Sequence, residues 1–250
     1  MTVHFVGAGP GAADLITLRA AAMLAAADVV LYPGTYLDAE VLGHCREDAR
    51  LVDTRDLDLD QIAAALVEAH EAGLDVVRLT SGDPSLYSAV AEQTRRLDEA
   101  GVSWDVTPGV AAYAAAAAAV GRELTVPLVT QSVVLTRAQA RSTAMPETEA
   151  LSRFAATRAT LALHLAITRT RELMGELAAE YGTDCPVVVV YRASQPEELV
   201  LRGTVADIAD QVEAAELRQA AVILVGRALD PRGGGESFLY DPARDRSGPV

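Results

Sequence analysis

Val76-Val77-Arg78-Leu79-Thr80-Ser81-Gly82-Asp83-Pro84-Ser85-Leu86-Tyr87 is the stretch on which the reading of this chain turns. Branched and long side chains from Val76 to Leu79 predict a short strand, and apolarity stops at Thr80. Ser81, Gly82, Asp83 and Pro84 are four turn-forming residues in a row, each for a different backbone reason. A helical pattern resumes from Ala89 to Leu97. Strand, tight loop and helix in that order set the loop at the carboxyl end of a strand, where open α/β sheets bind ligands. Gly-Asp-Pro also makes an ordinary turn, so the tripeptide alone leaves both readings open.

The chain around it has 250 residues, enough for one large domain or two smaller ones. Half the residues are hydrophobic but only 4% are aromatic, so the core must rest on close packing of alanine-rich helices rather than on buried rings. A net charge of −14 argues against nucleic acid or an anionic membrane surface as partner, because both are polyanions. All 21 basic residues are arginine. Without lysine there is no P-loop lysine, no Schiff base and no pyridoxal-phosphate chemistry. Cys45 and Cys185 are far apart, which fits buried thiols in a reducing cytoplasm. His4, His44, His70 and His164 show no paired spacing, and no metal site is expected. The N-terminus enters a strand without a charged leader, and no apolar run is long enough to span a bilayer.

Strands are expected at Val3 to Val6, Asp28 to Tyr32, Leu51-Val52, Val76 to Leu79 and Trp104 to Val106. Helices alternate with them: one from Leu15 capped by Asp14 or Thr17, and one from the Asp58/Gln61 capping pair through Ala72. Thr107-Pro108-Gly109-Val110 is a second turn that follows a strand and opens a helix. Gly121 to Pro127 reads as a boundary, giving α/β domains over 1–120 and 121–230 and a tail over 231–250. Beyond the boundary come strands at Ser132 to Thr136, Thr160 to Leu165 and Pro186 to Tyr191, the last in a hairpin with Leu199 to Arg202, and a final strand at Ala221 to Val225. Glu149 to Ala156 and Thr168 to Tyr181 read as helices, and Arg137 to Glu147 as a loop. Thr204 with Asp207 predicts a capping box for the last helix, and Phe238-Leu239-Tyr240 is expected to dock back from a weakly ordered tail. Such alternation predicts an α/β fold of two domains with mostly parallel or mixed sheets.

Gly7-x-Gly9-x-x-Ala12 after the first strand satisfies a loose dinucleotide fingerprint, with Asp28 about 20 residues further on. Two physical points disfavour an NAD-binding dehydrogenase. Pro10 removes an N–H from a loop that should donate to a pyrophosphate. Asp28 begins its strand rather than ending it, which sets it at the wrong edge of the sheet for a ribose. A backbone loop approaching some other ligand, in an enzyme or in a non-catalytic cofactor sensor, is the reading that remains.

An ordered set of motifs resembles the tetrapyrrole (corrin/porphyrin) methylases. They are Val6-Gly7-Ala8-Gly9-Pro10-Gly11 with Asp14 to Thr17, Ala27 to Tyr32, Ser81 to Pro84, Pro108-Gly109-Val110 and Val225-Gly226-Arg227. Ser81 to Tyr87, Leu135 to Arg137 with Arg141 and Met145 to Glu147, and Cys185 to Ser194 resemble the precorrin-4 and cobalt-precorrin-4 C11-methyltransferase branch. Thr80, Ala140 and Ala111-Ala112 depart from that branch, which commonly has histidine, glycine and a Ser/Thr-containing pair there.

The resemblance implies a homodimer that moves a methyl group from S-adenosylmethionine to a tetrapyrrole carbon, with other precorrins or uroporphyrinogen-III as alternative acceptors. It implies a cofactor held between the two domains by Pro10, Ser81, Gly82, Asp83, Leu86, Ala111 and Ala112 of the first, and by Leu165, Ala193 and Ala221 of the second. Small residues suit such positions because backbone approaches a ligand only where side chains are short. Asp83 either accepts from the cofactor or stabilises its own turn. A substrate rich in carboxylates asks for arginine forks, for which Arg46, Arg137, Arg141 and Arg192 are the candidates. In-line transfer from a sulfonium needs positioning and desolvation more than a strong base, which agrees with a chain that shows no triad, and no catalytic residue is assigned.

Overall fold

The computed structural model describes residues 2–34, 37–138, 144–232, 234–240 and 243–244. The chain forms two compact units: Met1–Ala115 together with Arg192–Glu198, and Ala116–Tyr191 together with Leu199–Val250.

In the first unit five strands, β1 (Val3–Gly7), β2 (Val29–Tyr32), β3 (Arg50–Asp53), β4 (Val76–Thr80) and β5 (Trp104–Thr107), pair in the order β3-β2-β4-β1-β5, all parallel. Parallel neighbours need crossovers. Helix α1 (Leu18–Ala26), a 3-10 turn at Ala39–His44, α2 (Leu59–Glu71) and α3 (Val90–Glu99) supply them in turn. Alternation along the strands divides the core into two faces. Val3, Phe5, Val29, Leu31 and Val76 pack on Ile62, Leu66 and Ala69 of α2 and Leu97 of α3. Val6, Val30, Val77 and Leu79 pack on Ala20 and Leu24 of α1. The caps are side-chain built: Thr17 Oγ1 accepts from Ala20 N (3.1 Å), while Asp58 and Gln61 form the expected reciprocal box. Helix α4 (Ala112–Val120) then carries the chain out of the first unit.

The second unit has a mixed sheet of β6 (Val133–Arg137), β7 (Thr160–His164), β8 (Pro186–Tyr191), β9 (Leu199–Thr204) and β10 (Ala221–Val225), in the order β6-β7-β10-β8-β9. Only β6 and β7 are parallel; β10 runs antiparallel to both its neighbours. Helices α5 (Leu151–Ala155), α6 (Thr170–Tyr181) and α7 (Ile208–Ala214) complete it, with Leu173, Met174 and Leu177 of α6 and Ile208 and Val212 of α7 packed on Leu161, Leu163, Val187, Val189 and Ile223.

Two local expectations fail here. Thr204 does not cap the last helix, because it remains in β9 opposite Pro186; the Asp207 carboxylate accepts its N–H (2.6 Å) across a turn, and α7 starts one residue later. Phe238 and Tyr240 do not dock: they are 72% and 75% exposed. Gly235 makes the contact instead, donating its N–H to Pro127 O at 3.0 Å, which leaves the aromatic turn beyond it closed on itself through Tyr240 N to Ser237 O.

Candidate functional site

At the carboxyl edge of the parallel sheet the loops after β1, β4 and β5 interlock through bare backbone. Gly9 and Gly82 exchange both hydrogen bonds, N to O, at 3.1 and 2.8 Å, and Ala8 N donates to Thr80 O at 2.8 Å. Both glycines have positive φ, +76° and +67°, which a residue with a Cβ adopts only under strain. Gly109 comes in from the third loop. A Cβ on it would lie 2.3 Å from Gly82 O, and a Cβ on Gly7 would lie 2.5 Å from Gly109 N. Three backbones therefore meet where no side chain fits.

Asp83 ties the cluster together. Its Oδ2 accepts from Gly109 N (2.9 Å), and its Oδ1 accepts from Ser85 N (2.8 Å) and from the Ser85 hydroxyl. Partial burial alone would raise its pKa, but the Ser85 hydroxyl and the Gly109 and Ser85 N–H groups outweigh that, and the carboxyl lies below its usual value. The carboxylate is thus a clip between the β4 and β5 loops, which favours the structural side of the two roles open from sequence. Leu86 N closes onto Asp83 O (3.2 Å), and Ser88 Oγ donates to the Asp83 and Leu86 carbonyls. Tyr87 and Ala89 hold φ of +55° and +50°, strain of about 1–3 kcal/mol apiece that surrounding bonds must hold in place.

Two further pieces flank this cradle. Ala111 and Ala112 lie against Gly82, whose added Cβ would sit 3.9 Å from Ala111 Cα and 3.7 Å from Ala112 N. Here α4 opens: Ala114 N and Ala115 N donate to Ala111 O, and the N–H groups ahead of them precede the helix's own acceptors. The segment Arg192–Glu198, which links β8 to β9, packs on the glycine loop: Gln195 Nε2 donates to Pro10 O (3.1 Å) and Ala12 N donates to Ser194 Oγ (3.1 Å). Ala193 therefore lies in the segment that touches Pro10. Arg192 and Ser194 have φ of +46° and +67°, and Arg192 Nη1 pairs with Glu197 Oε2 at 3.1 Å.

In the second unit the strand register gathers further residues from the sequence reading. Arg137 ends β6 beside His164, Ile223 pairs with Leu163 and Ala221 with Tyr191. Leu165 follows directly on His164 at the end of β7, so Arg137, Leu165, Ala221 and Tyr191 lie toward one edge of this sheet. Leu165 is 58% exposed with φ +52°, a large apolar side chain held outward on strained backbone. Arg141 lies outside the described residues.

Arg46 lies apart from the glycine loops. It forks onto Asp48 (2.7 and 3.1 Å) and reaches Asp28 Oδ1 (3.0 Å), at the amino edge of the parallel sheet. Asp28 also accepts from Asp75 N (2.8 Å) just ahead of β4. Its carboxylate braces the strand starts, at the opposite edge from the glycine loops, as the argument against a ribose requires. Sequence reasoning missed Gln195 altogether; nothing marks it among the polar residues of a hairpin loop.

Cys45 and Cys185 are both free, and burial raises both thiols, Cys185 to about 11, so neither is poised as a nucleophile. Among the described residues no three His, Cys, Asp or Glu side chains group so as to hold a metal ion, and no helix is long and apolar enough to cross a membrane.

Residues 2–209 match the sequence profile of the tetrapyrrole (corrin/porphyrin) methylases. The precorrin-4 C(11)-methyltransferase of Rhodococcus erythropolis is 55% identical over 247 residues, 99% of each chain. The X-ray structure of a cobalt precorrin-4 methyltransferase, a cobalamin biosynthetic enzyme, superposes with a TM-score of 0.89 at 39% identity, covering 92% of this chain and 96% of that one. The uroporphyrin-III C-methyl transferase of Thermus thermophilus complexed with S-adenyl homocysteine gives 0.77 at 27% identity, covering 92% and 93%. An all-parallel glycine-looped sheet followed by a mixed one, together with a profile match over most of its length, places this chain in the tetrapyrrole methylase family.

Proposed function

We propose that this chain is an S-adenosylmethionine-dependent methyltransferase that methylates C11 of precorrin-4 in cobalamin synthesis. The observation that carries the proposal is the interlocked cradle of Gly7, Gly9, Gly82 and Gly109, in a chain 55% identical over almost its full length to a precorrin-4 C(11)-methyltransferase. The cradle suits a cofactor that docks on backbone: three glycine loops pack directly on one another at the carboxyl edge of the sheet, and the N–H of Ala112, at the start of α4, lies beside Gly82. Pro10, Ser81, Gly82, Leu86, Ala111, Ala112 and Ala193 are the residues proposed to hold it. Asp83 acts behind them, by fixing the loop.

When bound, S-adenosylmethionine supplies a methyl on a cationic sulfur whose leaving group is a neutral thioether. The chain's own task is to hold the donor methyl in line with an electron-rich ring carbon and to keep water out, because orientation provides most of the acceleration in such a displacement. Arg137 and Arg192 are proposed to receive acceptor carboxylates as planar forks, Arg192 exchanging Glu197 for the substrate. A homodimer in the cytoplasm completes the proposal, and light scattering at twice the chain mass tests the dimer.

The deciding experiment incubates the protein with precorrin-4, with or without cobalt, and a donor carrying a ¹³C methyl. One added methyl by mass and a ¹³C signal at C11 support the assignment. Label at another ring carbon overturns the position, and no S-adenosylhomocysteine binding by calorimetry overturns the methylase reading itself.

A further inference from the structure

We infer that Arg78 and Gln93 are positioning residues, which brace the rear of the Ser81–Leu86 loop from inside the core. Arg78 sits in the middle of β4, paired in register with Phe5 on one side and Leu31 on the other, both fully buried. It is itself only 7% exposed, and burial pushes its pKa down to about 10, so it stays charged at neutral pH. Its hydrogen bonds go to neutral acceptors: Nε to Gln93 Oε1 (3.0 Å), and Nη1 to Thr54 Oγ1 and Leu79 O (3.2 Å each). A buried cation with dipoles alone for company is a weak contributor to stability, since an apolar residue of similar volume does as well or better. Its value must lie in what it orients.

A guanidinium only donates, so it fixes which end of the Gln93 amide faces it. With Oε1 turned to Arg78, the amide NH2 points the other way, to Ala89 O at 3.1 Å and Ser88 O at 3.4 Å. Gln93 is 2% exposed and has no freedom to reverse. Ala89 opens α3 in the left-handed region, with no side chain able to cap the helix. The line Arg78, Gln93, Ala89 therefore holds the strained Tyr87–Ala89 corner at the rear of the loop, while Asp83 clips its front to Gly109. Thr54 extends the brace sideways, since its hydroxyl donates to Tyr32 O at the end of β2.

This inference rests on the loop being the cofactor loop, and the test separates the two. Gln93→Glu keeps the acceptor for Arg78 and removes the NH2 that holds Ala89. The double variant Arg78→Met, Gln93→Leu removes the whole line and leaves no unpaired charge. Both are expected to melt near the wild-type temperature, to bind S-adenosylhomocysteine about tenfold more weakly, and to show a raised KM for the methyl donor with kcat little changed. Amide hydrogen exchange at Ser85–Val90, read without ligand, is expected to quicken in Gln93→Glu by a similar factor while β1 and β4 stay protected. Unchanged exchange in that loop, or wild-type affinity in either folded variant, overturns the brace. If the double variant fails to fold, Gln93→Glu alone decides. Wild-type protein that does not bind S-adenosylhomocysteine overturns the proposed function instead, and the exchange data then judge the brace by itself.

Discussion

Replacing Asp83 by Asn tests the clip at the point where the sequence left two roles open. The carboxylate accepts three hydrogen bonds with two oxygens: Gly109 N on one, Ser85 N and Oγ on the other. An amide has one oxygen. Turned toward Ser85, it sets an NH2 against the Gly109 N–H; turned the other way, it sets the NH2 against the Ser85 N–H. The first orientation loses the Gly109 bond and the second loses the Ser85 N–H bond and displaces the hydroxyl, so either loses at least one charge-assisted bond and sets two donors face to face. Such a bond is worth about 1.5–3 kcal/mol, and because the Ser85 side is exposed and the Gly109 side half-buried we take about 1.5–2 kcal/mol. At 1.4 kcal/mol per decade that is a loss of about 10- to 30-fold in S-adenosylhomocysteine affinity by calorimetry. The carboxyl also carries a pH signature. Its folded pKa is lowered, so its contribution is whole above the unfolded value of about 3.9 and is lost only as pH falls through the folded value. Asp83→Asn should therefore cost the same at every pH from about 5 to 8 and converge on wild type in acid. Affinity within twofold of wild type at pH 7 would refute the clip.

Three further outcomes follow from the same geometry. Gly109→Ala sets a methyl 2.3 Å from Gly82 O and should lower stability by about 1–3 kcal/mol, whereas Gly101→Ala, with open space around it and φ +70°, should cost only about 1 kcal/mol of backbone strain; thermal melts compare them. Gln195→Ala removes a side-chain bond to Pro10 O and should weaken S-adenosylhomocysteine binding by about three- to tenfold while the melt barely moves. Asp28→Ala takes acceptors from Asp75 N and Arg46 at the far edge of the sheet, and should destabilise the fold by about 1–2 kcal/mol with S-adenosylhomocysteine affinity unchanged; weakened binding would contradict a purely bracing role for Asp28.

What the sequence could and could not disclose divides along the range of the interactions. Val76 to Leu79, Pro186 to Tyr191 and Ala221 to Val225 were legible because a branched run between turn residues is a local signal. Asp58 with Gln61 was legible because a capping box closes within four residues. Pro10 and Asp28 counted against a dinucleotide because a missing N–H and a place at a strand's start are also local facts. Thr204 misled for the opposite reason: its partner in β8 is 18 residues back, and that pairing keeps it in a strand. Arg46 could not be placed because the edge of the sheet that an arginine reaches depends on the parallel order β3-β2-β4-β1-β5, which had first to be known. The same limit hid the site's strongest features. Gly82 and Gly109 are 27 residues apart, Gln195 and Pro10 are 185 apart, and no property of either residue alone announces the contact. Asp83 shows the boundary most sharply. Its bond to Ser85 could be guessed as an Asx turn, whereas its bond to Gly109 exists only once β4 and β5 flank β1. It is this second bond that makes the residue part of the interlocked glycine loops rather than of a turn alone.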